Sequence, residues 1–295
     1  MQNYILSCCS TIDLPADYVE KRNIKFIGLT YTLGDKEYTD DLGKTMPMKD
    51  FYEAMVKGAM TKTSQVNVES YLEYFGKFLE EGYDIVHVSL SSGLSGSYNS
   101  AKIAATELKE RYPERNIYII DSLGASSGHG LLVAKLADLR DEGKSAKELY
   151  DWGMENRLKV HHWFFSTDLT FYVRGGRISK AAGWFGTVLK ICPLLNMDNN
   201  GKLIPRFKIR GKSNVINEIV KKMEENADGG LDYSGKCFIS HAACYEDAKA
   251  VKDLVTARFP KIDGEVMIND IGTTIGSHTG PGTVALFFFG KERID

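Results

Sequence analysis

The first half of the chain alternates short runs of β-branched residues with amphipathic stretches, a pattern that extends over residues 4–158. A run at residues 85–88 is followed by helical spacing over residues 97–112 and then by a second run at residues 117–120. Strands that alternate with helices in this way build βαβ units around a buried parallel sheet. The pattern therefore predicts a doubly wound α/β fold for this half.

The second half has a different rhythm, which begins after Val160. Irregular glycine-rich segments separate its apolar runs, and only residues 214–225 and 246–259 have clear helical spacing. The apolar runs occupy residues 162–165, 191–195, 237–239, 266–268 and 284–289. These features predict a second α/β domain with a mixed or antiparallel sheet.

The two patterns divide the chain into an N-terminal α/β domain, residues 1–160, and a C-terminal α/β domain, residues 161–295. Neither an internal repeat nor a flexible linker separates them in the sequence. We therefore expect the domains to abut rigidly. Clefts between such domains are where ligands usually bind, so a ligand is expected between them.

Charge balance limits the class of partner. The chain has 37 Lys and Arg residues and 39 Asp and Glu residues, so no basic excess is available to neutralise a nucleic-acid backbone. The longest uncharged stretch, residues 271–290, is interrupted by five glycines and Pro281. We expect it to form buried loop and strand, without stable insertion into a membrane.

Cysteine usage and the first residues indicate the compartment. The five cysteines are an odd number without C-x-x-C spacing, and no basic and apolar leader pattern opens the chain. Reduced thiols in a cytoplasmic protein fit both observations.

The adjacent residues His161 and His162 would point to opposite faces of a strand, so we expect no metal site there. The remaining motifs indicate no cofactor either.

Three polar segments come between a strand-like run and the start of a helix: residues 63–65, 91–97 and 121–128. Each alone is explained by ordinary helix caps and turns. Together they would lie at the edge of a parallel sheet where helix N-termini offer unpaired N–H groups. Hydroxyls and glycines at such an edge suit a carboxylate or a phosphate, so the sequence predicts an anion site.

Two further segments carry groups that can bind an anion. His278 is flanked by the tight-turn residues of segment 276–282, and a histidine in a loop is a candidate hydrogen-bond donor or base. Arg174 and Arg177 place two fixed cations on a glycine turn. Such a pair could bind a phosphate, contact a partner or be solvated, and the segment alone does not decide among these.

Taken together, residues 63–65, 91–98, 174–179 and 275–282 resemble the DegV family in order and spacing across nearly the whole chain. The resemblance implies two α/β domains with a palmitate-like long-chain fatty acid held between them. Such proteins are similar to the bacterial FakB subunits, which present the fatty acid to a separate fatty acid kinase for phosphorylation of its carboxylate by ATP. On this resemblance the protein is a carrier and not the catalyst.

The resemblance also implies residue roles. Thr63, Ser95 and His278 would hydrogen-bond the fatty-acid carboxylate, and Arg174 would contact the kinase. Residues expected around the head group are Ser64, Gly96, Ser122 and Thr279. Candidate linings of the acyl tunnel are Phe165, Phe171, residues 184–185 and residues 191–195.

The chain departs from the family pattern at two places. The family's Asp-Ser-Thr reads Cys9-Ser10-Thr11 here, so an acidic side chain is missing. The Pro-Ser that usually follows the first hydroxyl segment is Val66-Asn67. Neither change removes the three proposed carboxylate donors.

Two other functions remain open on the sequence. Ser95 as nucleophile and His278 as base would make a serine hydrolase of acyl esters, with Asp121 or Asp270 available to orient the histidine. Residues 93–97 lack the final glycine of the usual G-x-S-x-G elbow. The third possibility is a sugar-phosphate or polyol site, which needs a polar cavity where an acyl chain needs an apolar one.

Overall fold

The computed structural model describes residues 3–179 and 191–293. Its first sheet has four parallel strands. They are β1 (Tyr4–Cys9), β2 (Lys25–Ile27), β6 (Asp84–Ser89) and β7 (Ile117–Asp121), in the order β2-β1-β6-β7. The helices of this half are α1 (Ala16–Lys21), α3 (Val68–Glu80), α4 (Ser97–Arg111), α5 (Ser126–Asp141) and α6 (Ala146–Asn156).

Both faces of this parallel sheet are covered. On β6, Val86 and Val88 pack into a cluster with α1, α5 and α6, whereas Ile85 belongs to a second cluster with α3 and α4. Successive side chains of a strand point to opposite faces, so burial on both sides requires the nearly continuous apolar run that the sequence shows. The predicted doubly wound sheet is confirmed.

The second sheet has six strands and is mixed. They are β8 (Val160–Ser166), β9 (Ile191–Met197), β10 (Leu203–Arg210), β11 (Phe238–His241), β12 (Met267–Asp270) and β13 (Thr283–Phe289), in the order β10-β9-β8-β13-β11-β12. Among these strands, β11 and β12 pair in parallel and the other neighbours pair antiparallel. The predicted mixed sheet is confirmed, although β10 was missed because Pro205 and alternating charges interrupt its apolar pattern.

The mixed sheet lies between helices of both halves of the chain. Its outer face packs against α8 (Lys212–Asn226) and α9 (Tyr245–Arg258). Phe165 and Leu286 are side chains of the sheet that take part in this packing. The opposite face carries Phe164 and Phe287, which share a cluster with α5. The two halves therefore share a hydrophobic core. The first strand of this sheet begins at Val160, and the division into domains 1–160 and 161–295 stays a prediction.

A small antiparallel sheet was not expected. It consists of β3 (Thr30–Leu33), β4 (Lys36–Thr39) and β5 (Thr61–Ser64), and it is accompanied by α2 (Met48–Val56), α7 (Thr170–Arg174) and α10 (Thr273–Thr279). Thr63 and Ser64 therefore lie in a strand of this sheet, and the prediction that they follow a strand of the parallel sheet was wrong. A strand of only four residues alternating Thr with Lys and Ser has no apolar run to reveal it.

Residues 271–290 also differ from the expectation. The stretch contains α10 as well as β13, so the prediction of loop and strand missed a helix and His278 lies in a helix, not in a turn. The glycines misled the interpretation: Gly276 is helical, and a Cβ there would collide with the hydroxyl of Tyr52. Only Gly280 and Gly282 of this segment have positive φ. No helix within residues 3–179 and 191–293 is both long and apolar enough to cross a membrane.

Candidate functional site

A cavity lies between the parallel sheet and the mixed sheet. Its wall is mainly apolar and comes from both halves of the chain. It includes Leu90, Leu94, Ala125, Phe164, Met197, Leu203, Ile271, Ile275, Ala285 and Phe287. Its polar lining residues include Thr63, Arg177, His278 and Thr279. The site therefore combines an apolar chamber with a small group of hydrogen-bonding side chains.

Alternation along the strands explains the apolar wall. Phe164 and Ala285 are paired in register across β8 and β13, and both face the cavity. Phe165, proposed from the sequence as a tunnel residue, points to the other face and packs among the residues beneath α8 and α9. A shift of one residue changes the face in a strand, so Phe164 and not Phe165 lines the cavity.

The polar end joins β5 to α10. Thr63 Oγ1 lies 2.7 Å from His278 Nε2, although the two residues are 215 positions apart in the chain. The neighbouring hydroxyl of Thr61 donates to the Ser277 carbonyl at 3.1 Å. These contacts fix the helix against the strand and place both side chains at the cavity.

His278 is held as a neutral imidazole. Burial, together with the positive charge of Arg177, lowers its pKa to about 4. Its Nδ1 has no hydrogen-bond partner among the described residues and lies against Gly175, where a Cβ would collide with the ring. The hydroxyl of Thr279 is likewise buried without a partner in the described part of the chain. The Thr279 hydroxyl is thus available to donate to a ligand at this end of the cavity.

Arg177, which the sequence identified as one of two cations on a glycine turn without assigning it to the head group, lines the cavity. One guanidinium nitrogen donates to the Gly175 carbonyl at 2.6 Å, and another donates to the Leu94 carbonyl at 3.0 Å. Both acceptors are neutral, so the positive charge is not cancelled by them. The signal was present in the sequence, because Arg177 closes the same R-G-G-R turn that was noted for Arg174.

Arg174 lies on the surface. Its guanidinium is 5.3 Å from the ring centre of Phe171, and Nη1 is 3.4 Å from the sulfur of Met60. The side chain is exposed, as is half of Met60. This position is open to a partner protein and does not contribute to the cavity wall. Phe171 packs against Gly280, where a Cβ would collide with its ring.

Ser95 is half-buried beside the cavity, and its hydroxyl interacts with the neighbouring residue Ser97. Its hydroxyl accepts a hydrogen bond from the Ser97 N–H at 3.2 Å and lies 3.0 Å from the Ser97 hydroxyl. Its neighbour Leu94 lines the cavity. Gly96 allows the close approach of Gln65, since a Cβ at position 96 would overlap the Gln65 amide. The structure brings Thr63 and His278 together and shows no hydrogen bond from Ser95 to either.

The remaining predicted head-group residues are divided. Thr279 lines the cavity, whereas Ser64 is exposed on β5. The Ser122 hydroxyl accepts a hydrogen bond from the Gly124 N–H at 3.1 Å and stabilises its own turn. Of the tunnel segments, residues 184–185 lie outside the described residues, and Leu195 is in the core shared by both halves.

The arrangement does not support a hydrolase. Asp121 accepts hydrogen bonds from the backbone N–H groups of Ser92 and Leu123, and Asp270 lies 3.5 Å from His241. Neither carboxylate contacts His278, whose charged neighbour is a cation. Within the described residues no acid, imidazole and serine hydroxyl are connected as a catalytic triad requires. The mainly apolar wall also disfavours a polyol.

Comparison with known proteins gives a consistent result. A family model for the DegV family of uncharacterised proteins matches residues 9–291. The chain is 32% identical to a fatty acid-binding protein of Thermotoga maritima over 97% of this chain and 96% of that one. Two solved structures are also similar. A DegV family protein of Thermus thermophilus, described by its fatty acid binding, has a TM-score of 0.86 and 26% identity over 98% of this chain and all of that one.

The second structure is the fatty acid kinase (Fak) B3 protein of Streptococcus pneumoniae, which was loaded with linoleic acid. It has a TM-score of 0.82 and 24% identity, and the match covers 99% of this chain and all of that one. At this identity the similarity concerns the fold. The solved structures thus share the overall α/β fold described above.

Proposed function

Because this chain belongs to the DegV family, we propose that it binds a long-chain fatty acid of the palmitate type in the cavity between its two sheets. The observation that carries the proposal is the combination of a mainly apolar wall with hydrogen-bonding groups at Thr63 and His278. The acyl chain lies along the apolar wall. The carboxylate lies at the polar end.

The acyl chain supplies the binding energy. Burial of one methylene is worth about 0.8 kcal/mol, so a chain of about fourteen methylenes gains on the order of 10 kcal/mol before the costs of association. A polyol in the same space would leave its hydroxyls without partners along the apolar wall. The cavity therefore selects for a hydrocarbon chain.

The polar end stabilises the buried carboxylate. When His278 Nε2–H donates to Thr63 Oγ1, the Thr63 hydroxyl proton is free to donate to the ligand. The Thr279 hydroxyl and Arg177 add a further donor and a positive charge. We keep Ser95 as a third carboxylate donor, which requires its hydroxyl to turn away from Ser97 and toward the ligand. We also place three residues around this head group, namely Ser64, Gly96 and Ser122.

The same geometry suits presentation to a kinase. The hydroxyl donors and the nearby charge of Arg177 stabilise the carboxylate without protonating it, so one oxygen remains able to attack the γ-phosphorus of ATP in a partner's site, with ADP leaving. This chain supplies the bound substrate, and the separate fatty acid kinase supplies catalysis. The name of the pneumococcal structure supports such a partner. ATP is available in the cytoplasm, where the proposal places the protein.

Fatty-acid titration tests the carrier function. Delipidated protein is titrated with palmitate, and we expect Thr63→Val to weaken binding about tenfold, equivalent to one lost hydrogen bond to a charged group. The control is Thr106→Val on exposed α4, whose hydroxyl donates to the Lys102 carbonyl. Wild-type protein that binds no palmitate would disprove the proposal. Equal binding by both variants would disprove the head-group assignment.

A second experiment separates presentation from binding. Arg174→Ala should retain palmitate as wild type does but lose acyl-phosphate formation when fatty acid kinase and ATP are added. The matched control is Arg111→Ala, since Arg111 is exposed on α4 and pairs with Glu107 of the same helix. Unchanged acyl-phosphate formation by Arg174→Ala would remove this residue from the kinase interface.

A further inference from the structure

A second cavity lies on the other side of the α10 N-terminus from the fatty-acid cavity. It is bounded by the β1–α1 connection, the end of β4 and the end of β12. Its polar lining residues are Ser10, Asp13, Asp40, Asn269 and Asp270. No Lys, Arg or His side chain lines it among the described residues. The second cavity is therefore rich in oxygen acceptors and has no cation of its own there.

Two of these carboxylates are deeply buried. Asp13 is 5% exposed and Asp40 is 2% exposed, and neither forms an ion pair with a described residue. A buried carboxylate without a compensating charge is costly and drives the group toward its neutral form. Burial, with the nearby carboxylates of Asp40 and Asp270, accordingly raises the pKa of Asp13 to about 8.

Neutral hydroxyl groups donate hydrogen bonds to the carboxylates of Asp13 and Asp40, but they do not supply a compensating positive charge. The Ser126 hydroxyl donates to Asp13 Oδ2 at 2.5 Å, and the Thr274 hydroxyl donates to Asp40 Oδ2 at 2.6 Å. Asp13 Oδ1 is buried and accepts no hydrogen bond from a described residue. The donor to Asp13 leaves one oxygen of this lining carboxylate unused, and Asp40 adds a second buried carboxylate to the same cavity.

Asn269 presents another unused oxygen to the same space. Its side chain is 5% exposed, and its Nδ2 donates to the Ser127 hydroxyl at 3.1 Å, which fixes the orientation of the amide. The amide oxygen Oδ1 is buried and has no partner in the described part of the chain. Buried polar atoms are nearly always hydrogen-bonded, so two unused acceptors at one cavity indicate a missing donor or cation.

The ligand set limits the kind of cation. Oxygen ligands suit hard cations and ammonium groups and not soft transition metals. No three His, Cys, Asp or Glu side chains of the described residues are grouped closely enough to hold a metal ion. Ca²⁺ takes six to eight oxygen ligands and Mg²⁺ demands near-octahedral geometry, whereas the buried Asp and Asn ligands here are Asp13, Asp40 and Asn269. A singly charged ion needs less charge from the protein.

We propose that the second cavity binds a singly charged cation, an alkali-metal ion or a primary ammonium group, through the carboxylates of Asp13 and Asp40 and the amide oxygen of Asn269. The cation supplies the positive charge that the lining lacks. It also occupies the two acceptors that the fold leaves unused. The site is separate from the fatty-acid cavity, and the proposal does not depend on a bound fatty acid.

Thermal unfolding in different salts tests the proposal. Purified wild-type protein is dialysed into tetramethylammonium chloride, whose cation has no N–H group and is too bulky for close contact. Potassium, sodium or methylammonium chloride then replaces it at constant ionic strength. Cation binding to the folded state gives a saturable rise in Tm with at least one of the three salts. A response to potassium or sodium indicates an alkali ion, and a response to methylammonium alone indicates an ammonium ligand.

Two variants locate the response. Asp13→Asn keeps an acceptor for the Ser126 hydroxyl but removes the charge, so the saturable rise should disappear. Asp35→Asn, in the exposed β3–β4 turn, should respond as wild type does. An equal Tm in all four salts would overturn the proposal, as would a saturable rise that survives in Asp13→Asn. The wild-type comparison remains decisive if Asp13→Asn does not fold, and no fatty acid enters the test.

Discussion

Acidification from about pH 7 to about pH 5 is expected to destabilise the protein strongly, because its histidines are held as neutral groups. Burial lowers the pKa of all six: His87, His129, His161, His162, His241 and His278. In the unfolded chain each histidine titrates near pH 6.5. Below that pH the unfolded state takes up protons that the folded state excludes, so stability present above about pH 6.5 is lost as pH falls toward the folded pKa.

The size of the expected loss of stability follows from the pKa shifts of the histidines. The pKa is about 4 at His129, His161 and His278 and about 3 at His87. Each such histidine loses about 2 kcal/mol of stability between pH 7 and pH 5. In a buffer without a cation that binds the second cavity, Asp13 acts in the opposite direction, because its raised pKa gives the folded state a proton that the unfolded state lacks, which offsets about 3 kcal/mol.

Burial of Asp40 raises its pKa and acts in the same direction as Asp13. The expected net loss is on the order of 5 kcal/mol, which is comparable with the whole stability of many domains, about 5–15 kcal/mol. The assay is urea unfolding followed by circular dichroism at a series of pH values. The free energy of unfolding should fall steeply below about pH 6.5.

One variant tests the cause of that fall. His161 Nε2 lies 2.8 Å from the Lys291 carbonyl, and His161→Gln retains an N–H donor while removing the titration. The slope of unfolding free energy against pH should decrease by about 1.4 kcal/mol per pH unit, which corresponds to one proton. A free energy of unfolding that does not change between pH 7 and pH 5 would refute the reasoning.

Three substitutions extend the account. Gly175→Ala places a Cβ against the His278 ring and should weaken palmitate binding at least tenfold in the titration described above, whereas an unchanged Kd would contradict the close contact. Ser145→Ala removes the capping box with Glu148 and should cost about 1 kcal/mol in urea unfolding; no loss would show that the cap is dispensable. Phe75→Ala empties a fully buried site and should cost about 3–5 kcal/mol, and a loss below 1 kcal/mol would indicate collapse of the cavity.

Strong periodicity explains which parts of the fold were predictable. The apolar runs of β1, β6 and β7 and the helical spacing of α4 and α9 reflect burial that acts on many residues at once. The short strand β5 has no such pattern, because its placement depends on pairing with β3 rather than on its own burial. Register and pairing partners of a four-residue strand are tertiary information.

The polar site was predictable only in part. Thr63 and His278 were both proposed, and the structure places them 2.7 Å apart. Arg177 was noted but not assigned to the site, because residue type alone does not tell which arginine of one turn is half-buried and which is exposed. Asp13 and Asn269 were missed for a similar reason, since their significance lies in unused oxygen atoms that only three-dimensional packing reveals.

The most direct measurement is the identity of whatever lipid the purified protein carries. The protein is denatured and extracted with organic solvent, and the extract is compared by mass spectrometry with a mock purification. The fatty-acid account predicts a long-chain fatty acid in near-stoichiometric amount. An extract that remains empty after the folded protein has been incubated with a panel of free fatty acids would contradict it.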